Sequence, residues 1–492
     1  MRSVADRLIK AYWDGIHPYY PFLHRQTFDS RYQALWVSVD DSESSTFYIL
    51  LNVVLALGSQ LESPSSGKDK GSAIYFARAK DSSQFDPFET PSLLDVQVLL
   101  LMGLYLMVDG QFSRAKSVLD IAMYSAQTLR SSFETSMSEN RSEEEREIFR
   151  CVWHGSHLLS RVVSSSLGQF SQILALASTA TEVPIPTCEL DTEALDVGRV
   201  SNAMPKVYRP SQFYYQTLRL HRILGEIYAM WNETGPPTQQ EEPTSDTSSQ
   251  IAKVIMFDKK LVKYWRALPK ALRHGHERAG STMTAEHTQS CLLRTRYLYC
   301  RIMLLLPLLP LAATLSEQIS GSEDDCEATI EEVLFQKLIL RGVSSARELL
   351  ELMKRLQGEK QNGVKSVKRP DKKLTSSEVV YTAAAVISEA QKSATVSGLV
   401  GQKALDTSWE QGLQILDQTS KPKAIRCASA IQRLWQSRAD ESASSFEATL
   451  NTDFAVNIIQ NEEDIMGNSL GDLQEAMLVG PDFAFDDSLE WF

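Results

Sequence analysis

His154 and His157 are the residues of this sequence whose type and spacing come closest to a metal site. Three residues apart on a helix, two imidazoles lie on one face and can share a zinc ion. The metal-binding helix of a zinc hydrolase needs a glutamate directly after its first histidine, and Gly155 stands at that position here. We therefore expect both histidines to be structural or solvated, and we predict no metal-binding residue in the chain.

A glycine–lysine pair in SSGKDKG, residues 65–71, has part of the pattern of a phosphate-binding loop. Such a loop needs a serine or threonine after the lysine and a second glycine upstream, and these positions hold Asp69 and Glu62. The acidic run DDSLE, from Asp486, has the form of the motif with which terpene cyclases hold magnesium diphosphate, but no helical segment follows it to form the other wall of a site. Because no nucleophile elbow or dinucleotide fingerprint occurs either, we predict that the chain is not an enzyme and has no catalytic or cofactor-binding residues.

The cysteines do not form a recognisable set. They are too scattered for a secreted disulfide framework or for zinc-finger spacing, and they are Cys151, Cys188, Cys291, Cys300, Cys326 and Cys427. This distribution indicates a reducing compartment and predicts no cofactor held by thiolates.

Composition and charge limit the partners of the chain. Its 492 residues are 43% hydrophobic, enough for a large core, and its formal net charge is -12. Negative charge opposes non-specific attraction to nucleic-acid phosphates and to anionic membranes. The most apolar run, residues 303–315, contains two prolines and is shorter than the roughly 20 residues that span a bilayer. We predict a buried helix end and turn there, and no membrane contact.

Any functional site must be positioned by helices, because helical periodicity dominates the sequence. Alternating β-branched runs with hairpin turns are almost absent. Ser142 and Glu145 have capping-box spacing at the start of one helix, which Gly168 is expected to end, and Ser113 is expected to cap another. Residues 93–108 are apolar nearly all round and predict an interior helix. Further helical patterns cover residues 214–231, 251–268, 291–306, 331–356, 376–393, 409–416 and 424–435. We predict an all-α fold, a large and irregular multi-helix domain.

Composition divides the chain into a helical domain, residues 1–438, and a tail, residues 439–492, that contains no lysine or arginine. Within the domain, residues 234–250 are rich in Pro, Thr, Ser and Gln and predict a surface loop. Residues 358–373 predict a second, basic loop. The tail alternates acidic and large apolar residues and is predicted to be disordered.

Residues 17–28, HPYYPFLHRQTF, follow a short amphipathic helix and concentrate aromatic side chains. Pro18 and Pro21 are expected to end that helix. The aromatic residues are expected to anchor the next segment on the core, or to line a ligand pocket, and they are Tyr19, Tyr20, Phe22 and Phe28.

The segment LIKAYWDGIHPYYPFLHRQTFDSRYQALW, from Leu8, resembles the start of the fungal-specific transcription factor domain, the middle homology region of zinc binuclear cluster regulators. Later segments are similar to that family in the same order. They are residues 50–61, 76–80, 92–130, 149–173, 182–191 and 261–273. Gln169 and Phe170 depart from the family's usual Arg-Pro after the Leu-Gly turn.

The resemblance implies an all-helical regulatory domain of a nuclear transcription regulator. The family's Cys-x2-Cys-x6-Cys zinc cluster does not occur in this sequence, so zinc is expected only in an upstream cluster. Promoter DNA is expected to be reached through that missing module or through a partner protein. The family's regulatory domains also imply a small-molecule effector and allow a dimer.

The tail has the composition of an acidic activation segment, in which repulsion between carboxylates keeps apolar side chains available to a coactivator. Phe485, Leu489 and Phe492 fall at i, i+4 and i+7 behind Asp482 as a cap. Leu470, Leu473 and Met477 repeat the spacing upstream, and we predict that all six residues contact coactivators. A tail docked on its own domain and a solvated terminus are the alternatives.

The basic loop contains KSVKRPDKK, which has the composition of a nuclear localisation signal. The residues predicted to bind an importin are Lys365, Lys368, Arg369, Lys372 and Lys373. The alternative is a solvated charge run.

Three other functions are consistent with this sequence. The chain could be a co-regulator or a competitor that does not itself contact DNA. It could also be an all-α enzyme with an unrecognised site, or a helical scaffold that activates nothing.

Overall fold

The computed structural model describes residues 2–37, 45–62, 70–82, 90–135, 142–167, 185–186, 211–234, 245–274, 285–309, 330–358, 377–418 and 422–436. Within these ranges the chain forms sixteen α-helices, one short 3-10 helix and no β-strand. The predicted all-α fold is therefore confirmed for the described part of the chain. The tail and the basic loop lie outside the described residues.

Seven helices form the N-terminal part of the domain, and most of them pack against helices one or two positions away in sequence. They are α1 (Arg2–Gly15), α2 (Arg25–Ala34), α3 (Ser45–Glu62), α4 (Lys70–Ser82), α5 (Leu93–Asp109), α6 (Phe112–Thr135) and α7 (Glu143–Ser166). Helix α3 packs against α1, α4 and α5, while α7 packs against α5 and α6.

Nine helices follow in the rest of the domain. They are α8 (Gln212–Thr234), α9 (Ser245–Arg266), α10 (Lys270–His274), α11 (Ala285–Leu305), α12 (Ile330–Gly358), α13 (Ser377–Lys392), α14 (Ala394–Val400), α15 (Gln402–Asp417) and α16 (Pro422–Gln436). Helix α11 contacts α8, α9, α12 and α13, and α8 also contacts α7. All sixteen helices belong to one compact unit, Met1–Ser166 with Phe170–Glu441. The second unit, Leu167–Gln169 with Ser442–Phe492, lies almost wholly outside the described residues.

Helix α5 shows how the sequence specifies these elements. Ser92 caps it, because the Ser92 hydroxyl accepts from the Asp95 N–H at 3.2 Å while the Asp95 carboxylate accepts from the Ser92 N–H at 2.8 Å. Gly110 ends the helix with φ of 87°, a left-handed conformation that favours glycine. The interior helix predicted at residues 93–108 is confirmed, since twelve of the 17 residues of α5 are buried, including all of those from Leu100 to Val108.

The predicted start of α7, which depends on a capping side chain next to the helix, is confirmed. The predicted start of α6 is wrong, because a turn in the preceding residues determines where that helix begins. Ser142 caps α7 as predicted, because its hydroxyl accepts from the Glu145 N–H at 3.2 Å. Ser113 does not cap α6. The helix starts at Phe112, after Gly110 has turned the chain, and Gln111 provides the first carbonyl, which accepts from the Ala115 N–H at 2.9 Å.

Three helices begin about one and a half to two turns before the predicted segments, namely α9, α11 and α15. The loop predicted for residues 234–250 is therefore wrong over Ser245–Gln250, which forms the first turns of α9. Serine, threonine, aspartate and glutamine are as common in the first turn of a helix as in a loop, so composition could not separate the two. The predicted helix end near residue 303 is confirmed, because α11 ends at Leu305 and a buried 3-10 turn, Leu306–Leu308, follows.

Helix α3 is the one described helix that is long and apolar enough to cross a membrane. Most of it is buried against α1, α4 and α5, which is the environment of a core helix in a globular domain. Its apolar character therefore has an explanation within the fold.

The aromatic segment, residues 17–28, is part of the core. Phe22 is completely buried, with its ring edge-on to Tyr214 of α8 and its carbonyl accepting from the Gln97 side chain of α5 at 2.6 Å. A Cβ atom at Gly155 of α7 would lie 2.2 Å from a Phe22 ring carbon, so only glycine permits this approach. Phe22 thus links this segment to α5 and α7 of the N-terminal part and to α8 of the later part.

A buried carboxylate holds the later helices together. Asp258 of α9 accepts from the Arg301 Nε of α11 at 3.1 Å and from the Arg341 Nη1 of α12 at 2.7 Å. Asp258 and Arg301 are both largely shielded from solvent. Three helices therefore meet at one negative charge.

The contact between Phe22 and Gly155 gives a first prediction. Gly155→Ala will lower the free energy of unfolding by about 1–3 kcal/mol, because the methyl group overpacks the site. Phe22→Ala will lower it by about 3–5 kcal/mol through the cavity that it leaves. The combination of Phe22→Leu with Gly155→Ala will cost less than the sum of the single changes, because the smaller side chain makes room. Urea unfolding measures all three effects.

Gly398→Ala is the matched control, because nothing lies within 4 Å of a Cβ atom at that helical position. Its free energy of unfolding should stay level or rise slightly. Equal losses at Gly155 and Gly398 would contradict the proposed contact.

Asp258→Asn gives a second prediction for urea unfolding. It will lower the free energy of unfolding by about 3 kcal/mol, because the largely buried Arg301 guanidinium loses its counter-charge. Glu226→Gln is the control, since Glu226 pairs with Lys260 and Arg222 at the surface and should change stability by about 1 kcal/mol or less. A loss at Glu226 as large as that at Asp258 would show that burial of the Asp258 charge is unimportant.

Candidate functional site

The predicted coactivator-contact and nuclear-localisation residues all lie outside the described residues. The structure therefore brings none of them together, and both predictions stay predictions. The coactivator set is Leu470, Leu473, Met477, Phe485, Leu489 and Phe492, and the localisation set is Lys365, Lys368, Arg369, Lys372 and Lys373.

His154 and His157 are packed inside the domain on α7. The His157 Nδ1 lies 2.9 Å from the Trp153 carbonyl oxygen, and burial lowers the pKa of His157 to about 4. Both observations describe a neutral imidazole used for packing. Among the residues that the structure describes, no three potential ligands come together.

The cysteines of α7 and α11 are buried thiols. Burial raises the pKa of Cys300 to about 12, and it also raises the pKa of Cys151. A thiol of such a high pKa stays protonated and is a poor nucleophile. These residues therefore pack the core and do not constitute a reactive site.

A groove between α9 and α12 is the first of two candidate sites. Its volume is about 600 Å³, within the range of small-ligand pockets. Its lining residues are Asp258, Lys259, Val262, Lys263, Arg266, Ala267 and Arg341. Four cations face one carboxylate, which already binds Arg301 and Arg341, so the groove is basic in an acidic chain. Its lysines are exposed and hydrated, which makes each contact with an anion weak.

The second candidate is a group of two arginines, a histidine and a glycine where α7, α8 and α11 meet, which we call the α7–α8–α11 cluster. Its members are Arg161 of α7, His221 and Gly225 of α8, and Arg296 of α11. Arg161 is 5% exposed and His221 is 9% exposed. The helices also meet through Ser165 and Tyr299, whose hydroxyl oxygens are 3.1 Å apart.

Arg161 makes one hydrogen bond with the described residues, donated from Nη1 to the His221 carbonyl oxygen at 2.8 Å. Its Nε has no partner among them, although it is buried. A Cβ atom at Gly225 would lie 3.2 Å from the guanidinium carbon, so the guanidinium lies against the backbone of α8. Burial lowers the pKa of Arg161, because no carboxylate of the described residues compensates the loss of water.

His221 and Arg296 complete the cluster. The His221 Nδ1 is buried and has no partner among the described residues, and burial together with the two arginines lowers the pKa of His221 far below its ordinary value. Arg296 donates from Nη1 to the Thr217 hydroxyl at 2.9 Å, and its guanidinium lies over the Phe213 ring. The cluster thus contains two guanidinium groups and a neutral imidazole, and no described carboxylate pairs with Arg161.

Sequence reasoning missed this cluster. Arg161 lies among the serines and histidines of α7, which look like a solvated face when the helix is considered alone. In the fold, seventeen of the 24 residues of α7 are buried. A signal was available in Gly225, a glycine inside a helical pattern, because such a residue indicates a close approach of another group.

Comparisons of the sequence with known proteins identify the family of this chain. Residues 9–266, from within α1 to the end of α9, match the family model of the fungal specific transcription factor domain. No solved structure matches the chain.

Curated relatives are regulators of transcription. The chain is 26% identical over 328 residues to sorbicillinoid biosynthetic cluster transcription factor 2 of Penicillium rubens, across 63% of this chain and 43% of that protein. It is 24% identical over 192 residues to transcription regulator galc of Aspergillus niger, across 38% and 23% of the two chains. It is also 24% identical over 242 residues to sorbicillinoid biosynthetic cluster transcription factor sor3 of Hypocrea jecorina, across 48% and 35%.

The chain spans less than half the length of each of these relatives. The family model, in contrast, covers more than half of this chain, and the order of motifs from the aromatic segment to α9 agrees with it. The chain therefore belongs to the fungal specific transcription factor domain family.

Proposed function

We propose that the chain is a nuclear transcription regulator, specific for a pathway or a gene cluster, that acts through its helical domain and an acidic activation tail. The match of residues 9–266 to the fungal specific transcription factor domain carries this proposal. The relatives from P. rubens and H. jecorina are named as transcription factors of biosynthetic clusters, which supports a comparable role here. A non-catalytic role agrees with the regulatory family.

Promoter DNA is, in this proposal, reached through a zinc cluster outside this sequence or through a partner protein. A net charge of -12 opposes binding of the chain itself to nucleic-acid phosphates. The helical domain would then be the part that responds to signals, and any zinc would belong to the upstream cluster. Dimerisation is compatible with this arrangement.

The tail would supply the contact with coactivators. Residues 439–492 contain thirteen carboxylates and no lysine or arginine. Repulsion among the carboxylates keeps the apolar side chains from collapsing on one another, so that they remain available to a partner groove. Phe485, Leu489 and Phe492 would occupy one face of a helix that forms on binding.

A reporter assay tests the tail. Residues 439–492 fused to a foreign DNA-binding module will activate a reporter above the module alone. Alanine at Phe485, Leu489 and Phe492 will lower that activation by roughly fivefold or more, because each buried apolar anchor contributes about 1–2 kcal/mol to binding. Alanine at Leu470, Leu473 and Met477 tests the upstream set in the same assay.

Alanine at Phe446, Leu450 and Phe454 is the matched control, because these residues have the same types and lie in the same tail outside the predicted sets. Their replacement should leave reporter activity near the unmodified level. Equal loss in all variants would show that composition matters and the predicted contacts do not. No activation by the unmodified tail would favour the scaffold.

Nuclear entry gives a further prediction. Glutamine at Lys368, Arg369 and Lys372 will move a fluorescent fusion of the full chain from the nucleus to the cytoplasm, because an importin groove selects clustered cations. Glutamine at the exposed Lys10, Lys354 and Lys403 removes the same charge and should leave the fusion in the nucleus. Fluorescence microscopy gives the nuclear-to-cytoplasmic ratio, and an unchanged ratio in the first variant would assign entry to another segment or partner.

A further inference from the structure

The α7–α8–α11 cluster contains more positive charge than the described structure neutralises. Arg161 is buried and has no carboxylate partner among the described residues. Arg296 adds a second positive charge, and both arginines lie near the imidazole of His221. A buried charge without a counter-charge is strongly unfavourable, so buried cations in folded proteins are normally paired. The described residues therefore lack the anion that would neutralise this cluster.

The unused hydrogen-bonding groups show which kind of anion fits. Arg161 uses Nη1 for the His221 carbonyl, which leaves the edge formed by Nε and Nη2 without a described partner. That edge carries two parallel N–H donors, whose spacing matches the two oxygens of a carboxylate. The unpartnered Nδ1 of His221 and the unpartnered hydroxyl of Ser164, one turn from Arg161, are further polar groups in the same buried region.

Burial limits the size of the anion. With Arg161 only 5% exposed and lying against Gly225, a nucleic-acid backbone or a membrane surface cannot reach the guanidinium. A small organic acid is the kind of anion that can bring a single carboxylate to a guanidinium so little exposed. The cations of the α9–α12 groove are exposed to water, so they would bind an anion only weakly at the surface.

We propose that the α7–α8–α11 cluster is the binding site for the carboxylate of a small organic acid, with the Nε–Nη2 edge of Arg161 as its main contact. The regulatory meaning rests on the proposed function, because the acid would then be an effector of the helical domain. Helix α11 contacts α8, α9, α12 and α13. An acid bound beside α11 would stabilise one packing of these helices relative to others.

Thermal unfolding of the purified full chain tests the site without reference to transcription. The probes are sodium benzoate and sodium succinate, compared with sodium phosphate and sodium chloride at equal ionic strength. A carboxylate at roughly ten times its Kd will raise Tm by about 1–3 °C, because it binds the folded state only. Chloride and phosphate will not produce this rise.

Arg161→Met is the decisive variant. Its Tm without ligand will equal or exceed that of the unmodified chain, because an unpaired buried cation has been replaced by an apolar side chain of similar length. Its Tm will not respond to carboxylates. Arg161→Lys keeps the charge but lacks the planar edge, so it will show a smaller response than the unmodified chain. Arg146→Met, a change at a partly exposed arginine of the same helix, will respond like the unmodified chain.

Several outcomes would overturn the proposal. One is the absence of any response to either carboxylate in the unmodified chain, and another is an equal response in Arg161→Met. A large loss of Tm in Arg161→Met without a carboxylate response would mean that a carboxylate of the chain itself neutralises Arg161. A response to phosphate alone would assign the site to another anion. If Arg161→Met does not fold, the Tm of Arg161→Lys decides instead. A rise in that Tm with carboxylates as large as in the unmodified chain would overturn the proposal. The reporter assay of the tail is independent, so a failure here leaves the proposed function intact.

Discussion

The fold depends on the burial of helix α7 on nearly every side. Helices α5 and α6 pack on it from the N-terminal part of the domain, α8 packs on it from the later part, and Phe22 reaches it at Gly155. A helix so placed cannot leave its polar side chains to water. Each one needs a partner inside the protein, as when Ser156 donates to the Trp153 carbonyl and Glu147 binds Arg150.

Arg161 is the buried cation of α7 that has no described counter-charge, and the proposed carboxylate site rests on it. Arg301 of α11, a largely shielded cation, has Asp258 as its counter-charge. Arg161 has none in the described structure, and it lies where α7, α8 and α11 meet. A domain that needs an external anion to complete its core would couple the presence of that anion to the packing of its helices. Such coupling would suit the regulatory role that the family indicates.

The helices themselves were largely readable from residue pattern. An all-round apolar run placed the interior helix at residues 93–108, and the spacing of Ser142 and Glu145 placed the start of α7. Both signals are local, since they lie within the residues of the helix and its cap. Errors arose where the signal was not local. The start of α6 depends on the left-handed turn at Gly110, and the first turns of α9 have the composition of a loop.

The sequence by itself determined the all-α class, the family and the separation of an acidic tail from a helical domain, because periodicity, motif order and composition are properties of the chain alone. Only the tertiary structure decided that the polar residues of α7 are buried, that Gly155 and Gly225 accept a ring and a guanidinium, and that Arg161 has no described counter-charge. The physical reason is that solvation belongs to the assembled core. Whether an arginine on a helix meets water, a carboxylate or neither depends on residues brought to it from elsewhere in the chain.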